Sequence, residues 1–218
     1  MLRLSQWSAL LMTLLLWTAA GYAEYPLNIA GYVTRVRGEV VIENAARRHP
    51  LTLGEPLHIG DRIMTGSEAR LEARMQDGTT LTLGANTEFV IRQVAGVAPQ
   101  KDRGSLFELF KGVFRAVTAQ TTAEAPSRED WRVQTPVATI GIRGTELWGG
   151  FNLLDAGSDT LDVVMLAGKG VYVESAGQRV ELQQAGEGTT APGAGQPPLP
   201  ARAWGDEKLQ AAVQTVAW

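Results

Sequence analysis

Between Gly31 and about Val94, apolar and polar residues alternate in short runs broken by turn residues, which predicts short β-strands. The clearest unit is Ala69 to Leu83. Ala69, Leu71, Ala73 and Met75 alternate with Arg70, Glu72, Arg74 and Gln76, and beyond Asp77-Gly78 Leu81 and Leu83 alternate with Thr80 and Thr82. Two period-2 runs joined at Asp-Gly predict a hairpin with a tight turn, because Gly enters positive φ at no steric cost. Gly38-Glu39-Val40-Val41-Ile42 predicts a strand that returns through the polar stretch 43–50 to Leu51-Thr52-Leu53-Gly54. The run 106–117 (LFELFKGVFRAV) fits one helix face, yet Gly112 and three phenylalanines favour two buried strands about a bend. Strands are also expected at 161–166, 170–174 and 180–182. The fold class read from this pattern is all-β.

Both ends depart from that pattern. Arg3 precedes an almost uncharged run from Ala9 to Ala20 and then Gly21-Tyr22-Ala23, the layout of a secretory signal peptide over residues 1–23. The run is shorter than the roughly 20 residues a membrane span needs, so no stable span is expected after cleavage. Residues 24–186 form the expected β domain, and 187–203, rich in Gly, Pro, Thr and Ala, the expected linker. Residues 204–218 are read as an amphipathic segment in which Asp206 to Trp218 form a short helix, with Asp206 as N-cap and Leu209, Val213 and Val216 on one face. Together with Trp218, these are the candidate contacts to a partner.

Charge and composition narrow the function. The chain has 20 Lys and Arg; removing Arg3 with the leader leaves 19 against 23 acidic residues, a formal charge of −4. That sign argues against nucleic acid. No cysteine is present, so thiol chemistry, cysteine metal sites and disulfides are excluded. His49 and His58 lack metal-protease spacing, Arg143-Gly144-Thr145 lacks phosphate-loop spacing, and Gly168-Lys169-Gly170 lacks the third glycine of a dinucleotide fingerprint. Asp155, Asp159 and Asp162 lack the closing Glu of a calcium loop. No catalytic, metal or cofactor residue is nominated.

Three ordered blocks carry the remaining information: 57–66 (LHIGDRIMTG), 75–81 (MQDGTTL) and 133–147 (VQTPVATIGIRGTEL). In this order they resemble the FecR-type domain of bacterial envelope proteins, over roughly residues 30 to 185. The resemblance implies an extracytoplasmic two-sheet sandwich, jelly-roll-like, in a family whose namesake relays a ferric-siderophore signal to a sigma factor. With only a few residues ahead of the apolar run, the expectation is a stand-alone, periplasmic or secreted version. It would be a non-enzymatic sensor or scaffold whose partner is an unidentified envelope protein.

The motif residues are Gly60, Asp61, Thr65, Gly66, Asp77, Gly78, Thr135, Pro136, Gly141, Arg143, Gly144 and Thr145. Asp61 and Thr65 suit capping of nearby backbone N–H groups, and Pro136 suits a strand start. Ala138, Ile140 and Ile142 should face the core. Arg143 needs an acceptor, for which Glu146, Asp61 and Asp77 are candidates, or else a ligand anion. Two other functions stay open: a ligand- or glycan-binding sandwich marked by exposed Trp131, Trp148 and Tyr172, and a hydrolase using carboxylates the sequence does not single out.

Overall fold

A computed structural model describes residues 28–45, 47–98, 104–118, 131–142, 144–154 and 157–218. The expected signal peptide, 1–23, and Arg143 lie outside them. Strands occupy 54% of the described residues and helix 5%, in two sheets with one short C-terminal helix, so the all-β class holds.

Among the described residues eighteen strands follow one another: β1 (Ile29–Arg37), β2 (Val40–Glu43), β3 (Arg48–Pro50), β4 (Pro56–His58), β5 (Arg62–Thr65), β6 (Arg70–Met75), β7 (Thr80–Leu83), β8 (Glu88–Gln93) and β9 (Ser105–Lys111) make the first half. The second half is β10 (Val113–Val117), β11 (Trp131–Gln134), β12 (Thr139–Ile142), β13 (Thr145–Phe151), β14 (Leu161–Gly168), β15 (Val171–Ser175), β16 (Gln178–Leu182), β17 (Glu187–Ala191) and β18 (Arg202–Ala203), followed by α1 (Asp206–Gln214). The front sheet runs β18-β17-β14-β13-β10-β7-β6-β1-β4 and the back sheet β16-β15-β12-β11-β9-β8-β5-β2-β3. Both orders nearly follow the chain, which steps between sheets as it advances along their length. β9 and β11 pair parallel; the other ladders are antiparallel.

Alternation explains the packing. The inward residues of both sheets form one core, with Ile42, Ile63, Leu71, Leu83, Phe89, Phe107, Phe114, Val133, Ile140 and Val173 all fully buried. Phe89 of the back sheet meets Phe114 of the front sheet at 6.1 Å between ring centroids, and Trp131 lies 4.9 Å from Phe107. Trp131 is only 3% exposed because it points inward.

The 69–83 hairpin pairs Leu71 with Leu83 and Ala73 with Leu81. Its loop spans Gln76 to Thr79: Gly78 N–H donates to Met75 O (3.0 Å), Met75 N–H to Thr79 O (2.8 Å), and Gly78 takes φ 85°. This is a turn with a following left-handed glycine, a longer connection than the tight two-residue turn expected. The run 106–117 is the strand pair β9–β10, bent at Gly112, whose missing side chain leaves room for Thr87.

Two expectations change at the C-terminus. The segment 187–203 is not a loose linker: β17 pairs with β14 over Gly188–Ala191, and Leu199 N–H donates to Thr190 O at 2.9 Å. Composition misled here because Gly188 is a packing glycine; a Cβ on it would lie 2.4 Å from the Trp204 indole. Asp206 is the first helical residue and Gly205 the N-cap, without a side-chain cap bond. The helix then covers the outer face of the front sheet. Trp148, Val164 and Val113 are buried there with Trp204, Ala212 and Val216, forming a second, smaller core.

Candidate functional site

The motif residues lie at turns, and their polar atoms turn inward. Gly60 N–H donates to Ile91 O (2.7 Å), which anchors the turn before β5 to β8. Asp61 is fully buried; its Oδ2 accepts the His58 N–H at 2.7 Å and its Oδ1 the Asn44 side-chain amide at 2.6 Å. Arg47 Nη2 lies 3.1 Å from His58 Nδ1, and as Arg can only donate, that nitrogen is the acceptor. His49 pairs with Glu55. Burial pushes the Glu55 pKa up, but the bonds from His49 and from Thr52 outweigh it, and the net shift is below the ordinary 4.5.

Thr65 has a longer reach. Its hydroxyl donates to Gly84 O (2.6 Å) and accepts the Thr87 N–H (2.8 Å), while its own N–H donates to Thr87 O (2.9 Å). The Thr87 hydroxyl in turn accepts the Val113 N–H (3.0 Å) and donates to Val113 O (3.1 Å). Two threonines thus link β5 in the back sheet to β10 in the front sheet. Gly66 continues the junction, its O accepting the N–H groups of Ala69 (3.2 Å) and Asn86 (3.1 Å).

The other two blocks follow the same principle. Asp77 Oδ1 accepts the Thr79 N–H at 2.8 Å, and its Oδ2 accepts the Ser105 hydroxyl, tying the hairpin loop to the start of β9. In the third block Pro136 stands within the loop between β11 and β12, not at the start of a strand as expected. Thr135 closes that loop: its hydroxyl donates to Ala138 O (2.9 Å) and accepts the N–H groups of Val137 (3.2 Å) and Ala138 (3.0 Å). Ala138, Ile140 and Ile142 are buried in the core. Gly141 lies under the Tyr172 ring, where a Cβ would come within 2.1 Å.

Thr145, just past Gly144, accepts the N–H groups of Lys169 (3.2 Å) and Gly170 (3.1 Å) on its hydroxyl, and its N–H donates to the Thr118 hydroxyl (2.8 Å). Thr87, Ser105 and Thr118 were not singled out from sequence, because each acts across 26 to 28 residues. The three carboxylates proposed for Arg143 have other partners: Glu146 holds Arg115 at 2.7 and 2.9 Å, and Asp61 and Asp77 hold the groups above.

Three surfaces remain. On the front sheet, Leu209 and Val216 pack against the domain's own second core, so Val216 at 5% exposure is not open to a partner. Val213 is 41% exposed. Trp218 lies under the Arg35 guanidinium, 4.0 Å from the ring centroid. Asp162 is buried against Lys208 Nζ (2.7 Å) and the Thr190 hydroxyl (2.5 Å), and Asp155 lies outside the described residues. At one end, Arg37 faces Arg70 directly across the β1–β6 ladder beside Ser67 and Glu68; burial, and then the Arg37 charge, lower the Arg70 pKa.

The outer face of the back sheet carries a ladder of opposite charges: Arg62 with Glu88, Arg92 with Glu108 at 2.6 Å, and Arg179 with Glu174 at 2.6 Å. Phe110 (39% exposed) lies below Arg62, and Tyr172 below Arg179. A shallow hollow of about 370 Å³ opens between Phe110 and Pro136. Among the described residues no group of three His, Asp or Glu stands close enough to hold a metal, and no helix is long and apolar enough to cross a membrane.

These features define a class: an all-β sandwich whose polar motif side chains are used to hold its own turns. The FecR protein family model matches residues 61–169, half of the chain, and the chain belongs to the FecR family. Its fold is similar to that of a candidate anti-sigma factor from Parabacteroides distasonis, in crystal structures at 1.65 Å and 2.50 Å. Each matches with a TM-score of 0.54 and 16% identity, covering 70% of this chain and 64% of that one. The chain thus spans less than two thirds of that protein's length. No curated protein matches it.

Proposed function

We propose that this chain is a non-enzymatic, extracytoplasmic FecR-type interaction module, a sensor or scaffold in envelope signalling, exported through residues 1–23. Its partner is an envelope protein. Membership of the FecR family carries the reading, and the use of the motif side chains supports it: Asp61, Thr65, Asp77, Thr135 and Thr145 all bond to the fold itself. The motif then preserves a shape, and recognition falls to the surface that shape presents. The outer back-sheet face, with Phe110 and Tyr172 set among paired charges, is the surface for it, because Arg and aromatic anchors are enriched at protein interfaces.

A glycan platform built on Trp131, Trp148 and Tyr172 loses its basis, since Trp131 and Trp148 are 3% and 0% exposed. The test is site-specific photo-crosslinking in the native host. A photoreactive residue at Phe110 or Tyr172 should give one discrete adduct in the envelope fraction, and one at Val213 should not. Recovery of the chain in the cytoplasm, or equal labelling from all three positions, would overturn the reading.

A further inference from the structure

A sheet edge presents unpaired N–H and C=O groups, and proteins usually shorten it, place proline on it or cover it. Of the four sheet edges among the described residues, three are treated so. β3 has three residues and ends in Pro50, β4 has three and begins with Pro56, and β18 has two and leads into the helix. The fourth, β16, has five residues (QRVEL), no proline and no bulge in its ladder with β15.

The β15–β16 loop fixes which of its groups are free. Ala176 and Gly177 take φ 50° and 72°, a two-residue primed turn, so Ser175 and Gln178 form a hydrogen-bonded pair. Hydrogen-bonded pairs alternate along an antiparallel ladder. Val173 with Val180 is the next, and the N–H and C=O groups of Arg179 and Glu181 therefore point away from β15. No other backbone hydrogen bond engages these two residues among the described ones. Their side chains share the outer face, where Arg179 rests on Tyr172, while Val180 is partly buried against the main core.

We propose that β16 pairs antiparallel with β16 of a second copy of this chain, about a two-fold axis at Val180. Only residues 179 and 181 offer outward backbone groups at the strand's centre, so three registers satisfy them. Pairing centred on Arg179 opposes two arginines, and pairing centred on Glu181 opposes two glutamates. Centring on Val180 sets Arg179 of each copy opposite Glu181 of the other, with two ion pairs and four backbone hydrogen bonds. Like charges directly opposite one another destabilise a ladder and opposite charges stabilise it, so the sequence Arg-Val-Glu selects one register. The two valines then meet at the closer, non-hydrogen-bonded spacing and extend the core across the axis. The contact is isologous, and the blunted edges elsewhere stop it at two copies. It does not depend on the envelope reading.

One strand pair is a small interface, so association should be weak and concentration-dependent. Sedimentation equilibrium of the purified protein from about 1 µM to 1 mM should show a reversible monomer–dimer equilibrium. Glu181→Arg, which makes both pairs repulsive, should raise the dissociation constant on the order of tenfold or more, and R179E/E181R should restore it. Glu181→Pro removes an edge N–H that the β15 ladder does not use; it should abolish the dimer and leave the circular dichroism spectrum and melting temperature unchanged. A monomer throughout the concentration range would overturn the proposal, even if the protein captured a foreign strand. A Glu181→Arg dimer as tight as wild type, or failure of the double reversal to restore pairing, would also overturn it.

Discussion

Replacing Thr65 by valine removes one hydroxyl while keeping the volume, the branching at Cβ and the preference for a strand. What is lost is specific: Gly84 O loses its 2.6 Å donor and Thr87 N–H its 2.8 Å acceptor, at a site where Thr65 is 7% exposed. A buried backbone group left without a partner costs about 1–3 kcal/mol, so the two together predict a loss of roughly 2–6 kcal/mol. For a chain of this size about 1 kcal/mol moves the melting temperature by about 2–4 °C, so a drop near 3 kcal/mol appears as roughly 6–12 °C. Thr65→Ser keeps the hydroxyl and gives up one methyl group, about 0.8 kcal/mol. The assay is urea unfolding and thermal melting of wild type, T65V and T65S side by side. The serine variant should fall close to wild type and the valine variant well below it. Equal midpoints for serine and valine would mean that the hydroxyl does not hold the sheets together, and the structural account of the motif would fail with it.

Further outcomes follow from the same contacts. Gly188→Ala drives a Cβ into the Trp204 indole, so it should cost about 1–3 kcal/mol and shift tryptophan emission to the red as Trp204 leaves its seat. Removal of residues 204–218 uncovers Trp148 and Val164; the truncated protein should bind a hydrophobic dye and aggregate on heating, with the main β signal retained. Glu55→Gln tests the lowered pKa. A carboxyl whose folded pKa lies below its unfolded value contributes stability above about 4.5 and loses it as the pH falls through the folded pKa. The variant should therefore be less stable than wild type at neutral pH, with the gap closing in acid, as read from urea midpoints at about pH 7 and about pH 3.5.

Legibility from sequence depended on how local each determinant was. The β6–β7 hairpin could be read because its alternation and its Asp-Gly loop lie within fifteen consecutive positions. The three motif blocks were visible as words, and the family could be read from them, yet their partners could not. Thr118 and Thr145 are 27 residues apart, and nothing around Thr118 marks it. Whether Trp131 and Trp148 were exposed could not be read, since alternation tells that two faces exist but not what covers each one. Trp131 faces the other sheet and Trp148 faces the helix, its indole N–H donating to the Thr215 hydroxyl at 2.9 Å. The stretch 187–203 failed for the opposite reason. Its Gly and Thr content signals flexibility in isolation, whereas here Gly188 makes room for an indole and the Thr189 hydroxyl bonds to Leu199 O.

The contact between Trp218 and Arg35 lays a residue that follows α1 onto β1, far along the front sheet from β18. Segments distant in sequence are thereby held by one guanidinium stacked on one indole, so a change that unseats the helix from the second core also bares the outer face of β1.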